Sequence, residues 1–71
     1  MMQLGTIAKN SREEIRLTVE PFHGHQIINA RVWFRTESGE YRPGKQGLAF
    51  RLELLPGVLA ALGKALDGGD A

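Results

Sequence analysis

Seventy-one residues, a net charge of +1, 42% apolar side chains and no cysteine describe one small domain. A chain of this size buries only about 60% of the surface it exposes when unfolded, so its core is marginal. Without cysteine there are no disulfides and no thiolate zinc site, which leaves tight packing or a second copy of the chain as sources of stability.

In chain order, residues 1–10 show no hydrophobic period and read as a flexible amino-terminal arm. The start carries no basic segment followed by an apolar run, as a secretory signal would require. Residues 11–14, "SREE", match the spacing of a helix capping box. The following "IRLTVE" overrides it: Ile15, Leu17 and Val19 alternate with Arg16, Thr18 and Glu20, a period of two that predicts a strand. Pro21 ends this strand or marks an edge, and "HGH" supplies a glycine for the reversal. Residues 26–37 predict a second, longer strand. One of its faces carries Ile27, Asn29, Arg31, Trp33 and Arg35, and the other Ile28, Ala30, Val32 and Phe34.

"ESGE" around Gly39 predicts a hairpin turn. Tyr41 and Arg42 open a short third strand that Pro43-Gly44 should break, and "GLAFRL" predicts a fourth. From Glu53 to Leu66 the apolar residues follow helical spacing, with Leu55, Val58, Leu59, Leu62 and Leu66 on one side. Leu54, Ala61 and Ala65 widen that arc to about 160°, more than the roughly 100° needed to pack on one sheet. A second surface is therefore expected to cover it. Residues 54–66 are too short and too interrupted by glycine to span a bilayer, and residues 67–71 read as a disordered tail. These elements predict an α+β domain over residues 11–66, four antiparallel strands then one helix, soluble and cytoplasmic.

Catalysis finds no support. The chain has no paired carboxylates in a strand-end context, and "GKQG" lacks the first glycine and the hydroxyl of a phosphate-binding loop. No metal site or cofactor is predicted, because His23 and His25 lack a third ligand nearby. They read either as exposed turn residues or as contacts to phosphate. Charge is segregated. Between Phe22 and Leu52 the cations Arg31, Arg35, Arg42, Lys45 and Arg51 face only Glu37 and Glu40. Arg42 and Lys45 flank the rigid Pro43-Gly44, and Gly47 permits close backbone approach. Fixed, paired cations suit a polyanion. Trp33 and Phe34, being consecutive, must point to opposite faces. Trp33, framed by arginines, either stacks on a base or plugs the sheet under arginine stems.

The ordered set "TVEPFHGH", an Ile-x-Ala-Arg ending at Arg31, the Trp33-Phe34 pair and "GEYRPGKQG", followed by an apolar strand and one helix, resembles the core domain of the transcriptional coactivator positive cofactor 4 family. The resemblance implies a strongly curved four-stranded sheet, a homodimer formed through the helix, and channels for single-stranded DNA. It assigns base stacking to Phe22 and Phe34 and phosphate contacts to Arg31, Arg42 and Lys45. His23 and His25 stand where lysines are frequent in the family, and Gln46 where a second basic residue is common. Phe22, His23, His25, Arg31, Trp33, Phe34, Arg35, Arg42, Lys45 and Gln46 are thus the candidate contacts. The expected partners are single-stranded DNA or RNA, a second subunit and the transcription machinery. A protein-interaction module is the alternative.

The two histidines generate a test, since histidine as a class gains its proton below about pH 6.5. Oligonucleotide binding should be tighter at pH 5.5 than at pH 7.5, read by titration at constant ionic strength. Equal affinities would remove both residues from the contact surface.

Overall fold

The computed structural model describes residues 1–67 and places four strands ahead of one helix. The elements are β1 (Met2–Ala8), β2 (Glu13–Phe22), β3 (His25–Arg35), β4 (Tyr41–Arg51), a 3₁₀ turn (Leu52–Leu54) and α1 (Leu55–Leu66). The strands form one antiparallel meander in the order β1-β2-β3-β4, the α+β arrangement that the hydrophobic periods predict.

Alternation in β2 and β3 explains how the sheet is built. Val19 pairs with Ile28, Leu17 with Ala30 and Ile15 with Val32, while Thr18 pairs with Asn29, Arg16 with Arg31 and Glu14 with Trp33. Directly paired residues share a face, so the sheet has one apolar face and one polar face. β4 extends the apolar face with Phe50 opposite Ile28 and Leu48 opposite Ala30. Ile28, at 4% exposure, is the one buried apolar side chain among the described residues.

The connections use local chemistry. Phe22 pairs with His25, so His23 and Gly24 form a two-residue hairpin loop. Both have positive φ, 50° and 79°, as the type I′ turn that matches strand twist requires. Between β1 and β2, Asn10 Oδ1 accepts the backbone N–H groups of Arg12 and Glu13 at 2.9 Å each. Asn10 Nδ2 donates to the Glu13 carboxylate at 2.8 Å, and with Lys9 Nζ at 3.3 Å it holds that carboxyl below its usual range. Around Gly39, Thr36 N–H donates to Glu40 O and Gly39 N–H to Thr36 O.

Three features differ from the sequence reading. Residues 1–10 do not form an arm: β1 pairs with β2 from Met2↔Val19 to Ala8↔Glu14. A register shift between Gln3 and Gly5 interrupts its alternation, which hides the strand from a period-two search. Pro43-Gly44 does not break the third strand either, because Tyr41–Arg51 is one strand. Trp33 pairs with Pro43 and Arg31 with Gly47, so residues 44–46 bulge opposite Val32. β4 is an edge strand, the position in a sheet where a proline is tolerated because its N can face away from the ladder. Finally, β3 stops at Arg35 and the helix starts at Leu55, after the 3₁₀ turn, with Pro56 in its first turn. Pro21 stays within β2, beyond Val19, the last β2 residue paired with β1. Asp67 N–H closes the helix on Lys64 O at 3.2 Å, and the rest of the expected tail lies outside the described residues.

α1 makes its main contacts with the 3₁₀ turn and few with the sheet. Leu59 and Leu62 stay 59% and 66% exposed. No described helix is long and apolar enough to cross a membrane.

Close approach at the bulge yields a prediction. A Cβ on Gly47 would sit 2.5 Å from Ala30 O and 3.0 Å from Arg31 Cα, both backbone atoms. Gly47→Ala should destabilise the fold by about 1–3 kcal/mol through this overpacking, measured by urea unfolding at fixed protein concentration. An unchanged midpoint would contradict so close an approach of β4 to β3.

Candidate nucleic-acid interface

The polar face of the sheet contains a hollow of about 250 Å³ whose walls include Gln3, Arg16, Thr18, Asn29, Arg31 and Trp33. Arg16 is the most constrained cation in it. Its Nε donates to Glu14 Oε2 at 2.6 Å, and its guanidinium carbon lies 4.1 Å from the Trp33 ring centroid and 5.4 Å from that of Tyr41. Arg31, directly across from it, donates from Nη1 to Gly44 O at 3.1 Å. The bulge thus presents a backbone carbonyl that orients Arg31. Glu20 Oε2 accepts from the Thr18 hydroxyl at 3.0 Å and from Asn29 Nδ2 at 3.3 Å. Asn29 Oδ1 is buried with no donor.

Phe22 lies at the far end of β2, 60% exposed, with the His23 ring edge-on to it at 4.2 Å. It borders a second hollow of about 520 Å³, shared with Ile27, Asn29, Phe50 and Arg51. His23 and His25 are exposed beside it. Phe34 is 40% exposed and sits opposite Arg42 on the apolar face. A Cβ on Gly44 would meet Val32 O at 3.1 Å and touch the Phe34 ring at an ordinary 3.7 Å. Arg42 is exposed and only loosely engaged by Glu40, at 3.7 Å. Lys45 and Gln46 are exposed in the bulge, and Gln46 Oε1 accepts from Lys9 Nζ at 3.4 Å. Arg35, also exposed, pairs with Tyr41.

Five of the candidate residues sort by face. Phe34 and Arg42 share one face; Arg31, Trp33 and Arg35 share the other. Trp33 is partly buried beneath Arg16, whereas Phe22 and Phe34 are exposed, Phe22 with His23 against it. Arg16 was absent from the candidates drawn from sequence. Its alternation with Ile15 and Leu17 marks it as a polar-face residue, but its proximity to Trp33 depends on the β2–β3 register.

Comparison with known proteins agrees with the fold. Residues 9–61 match the family described as Transcriptional Coactivator p15 (PC4). Among solved structures, a PC4 homologue from Burkholderia pseudomallei superposes with a TM-score of 0.80 at 23% identity, covering 97% of this chain and 90% of that one. A second crystal form of the same protein gives 0.79 at 25% identity, over 89% and 93%. A bacteriophage T5 homologue of the eukaryotic coactivator PC4, implicated in recombination-dependent DNA replication, gives 0.75 at 25% identity, over 97% and 80%. No curated protein matches. The matched segment takes in β2, β3, β4 and most of α1, and the chain belongs to the PC4 family of DNA-binding transcription coactivators.

Proposed function

We propose that this chain is a homodimeric, sequence-tolerant binder of single-stranded or locally melted DNA, acting without catalysis. The observation that carries the reading is Phe34 beside Arg42: a 40% exposed aromatic ring directly across from an exposed guanidinium on the neighbouring strand. A ring exposed in this way can stack on any base, contributing about 1–3 kcal/mol, while the cation neutralises the adjoining phosphate. Phe22, with His23 and His25 beside it, repeats the combination at the other end of the sheet.

Dimerisation fits the same picture. Leu59 and Leu62 on α1 and Leu48 on β4 are all 59% exposed or more, and the helix has little sheet contact. Large apolar side chains exposed in this number on so small a domain are best covered by a second copy. Leu62→Asp should therefore convert the dimer to monomer without a folding penalty inside one subunit. Size-exclusion chromatography with light scattering reads this, and a wild-type monomer would refute the dimer.

Binding should weaken with salt. On single strands the log–log slope is about −0.7 per neutralised phosphate, so four cations, Arg31, Arg35, Arg42 and Lys45, give roughly −3 per subunit. Arg42→Ala with Lys45→Ala should make the slope shallower by about 1.4 while the melting temperature stays near wild type. Oligo-dT titrations at several salt concentrations read the slope. Equal affinity for duplex and single strand would overturn the single-strand reading, and stronger binding to an RNA oligonucleotide of the same sequence would reassign the ligand. An absence of binding to either would favour a protein-interaction module.

A further inference from the structure

We infer that Arg16 and Arg31 form a two-guanidinium phosphate site on the polar face, in which Trp33 is the platform that holds Arg16 rather than a base-stacking ring. The inference rests on the single-strand reading and adds a contact to it.

The starting point is an electrostatic oddity. Arg16 and Arg31 are direct cross-strand partners and line the same hollow. Like charges placed directly opposite on a sheet are destabilising, and a sheet serving only its own stability would pair unlike charges there. Two carboxylates lie close by. Glu14 holds Arg16 through Nε, and Glu20 is occupied by Thr18 and Asn29. Neither forms an ion pair with Arg31 among the described residues; its hydrogen bond is to the Gly44 carbonyl.

The fixings also matter by what they leave unused. Arg16 is held by its Nε and by the cation–π contact that sets its guanidinium carbon over the Trp33 ring. Its two Nη groups have no hydrogen-bond partner among the described residues, and Arg31 uses only Nη1. A guanidinium stacked on an indole keeps its in-plane N–H groups free, and its planar fork matches the oxygens of a phosphate. Both side chains are restrained before any ligand arrives, which lowers the ordering cost of binding. The hollow of about 250 Å³ has room for more than one water, each of which takes about 30 Å³. Arg16 also lies over the Trp33 ring, so base stacking falls to the more exposed Phe22 and Phe34.

The test is a salt series with fluorescein-labelled oligo-dT, read by anisotropy. Arg16→Gln should weaken binding roughly tenfold or more and make the log–log slope shallower by about 0.7. Arg16→Lys should keep the wild-type slope but lose affinity, because a lysine carries the charge without the fork. If Arg16 is only a structural stack, Arg16→Gln lowers the melting temperature and leaves the slope at its wild-type value; that result overturns the inference. Should Arg16→Gln fail to fold, the wild-type protein supplies the answer. The Arg16 side-chain Nε–H resonance should shift in step with oligo-dT saturation, and a stationary signal at saturation overturns the proposal. Wild-type protein that binds oligo-dT while Arg16→Gln keeps its slope sinks this site alone. Wild-type protein that binds no single strand sinks the single-strand reading, and this site with it.

Discussion

The structure depends first on the pairing of β2 with β3. That ladder runs unbroken from Glu13↔Phe34 to Phe22↔His25, whereas both neighbouring ladders contain a register shift. Side chains alternate across a strand, so a slip of one residue would exchange the two faces. Ile15, Leu17 and Val19 would then meet solvent, and Arg16 would be driven against Ala30 or Val32 on the apolar face. The hydrophobic cost of that exchange specifies the register. The tight loop at His23 and Gly24 supports it by admitting only a two-residue connection.

Two consequences follow from so regular a centre in so small a domain. Irregularity is confined to the outer strands, where it can shape a surface without disturbing the ladder. The bulge at residues 44–46 is the clearer case, because it delivers the Gly44 carbonyl to Arg31 and leaves Lys45 and Gln46 exposed. The core, meanwhile, amounts to little more than Ile28 and its partly buried neighbours. Side chains that a larger protein would bury, Phe22, Phe34 and the leucines of α1, remain accessible. The same economy makes the chain marginal alone and leaves apolar surface exposed.

In the proposed binding mode, function and stability draw on different residues of the same strands. The apolar β2–β3 pairs hold the sheet, while Phe22, Phe34 and Arg42 contribute little to the core and are free to engage a ligand. Trp33 occupies an intermediate position. It is large enough to close part of the polar face, yet the side chain lying on it is a cation. In the proposed binding mode this makes the tryptophan a support for charge, and the two phenylalanines the rings that meet bases.

Much of this was legible in the residues themselves. Strict alternation in "IRLTVE" and "INARVWF" announced two strands and sorted their faces, and the leucine spacing after Pro56 announced the helix. The set around "FHGH" and "GEYRPGKQG" pointed to the family, because turn glycines and spaced cations occur at chain intervals that local geometry dictates. Other features were closed to such reading. β1 was invisible because a bulge at Leu4 spoils its period, and β4 looked broken because a proline tolerable on an edge cannot be told from one that ends a strand until the edge is known. Arg16 drew no notice because its significance lies in what stands across from it. Local propensity and period are properties of neighbours in the chain. Which ring a guanidinium covers, and which carbonyl orients its partner, are set by contacts between residues up to 25 positions apart, from Arg16 to Tyr41, and only the folded sheet decides them.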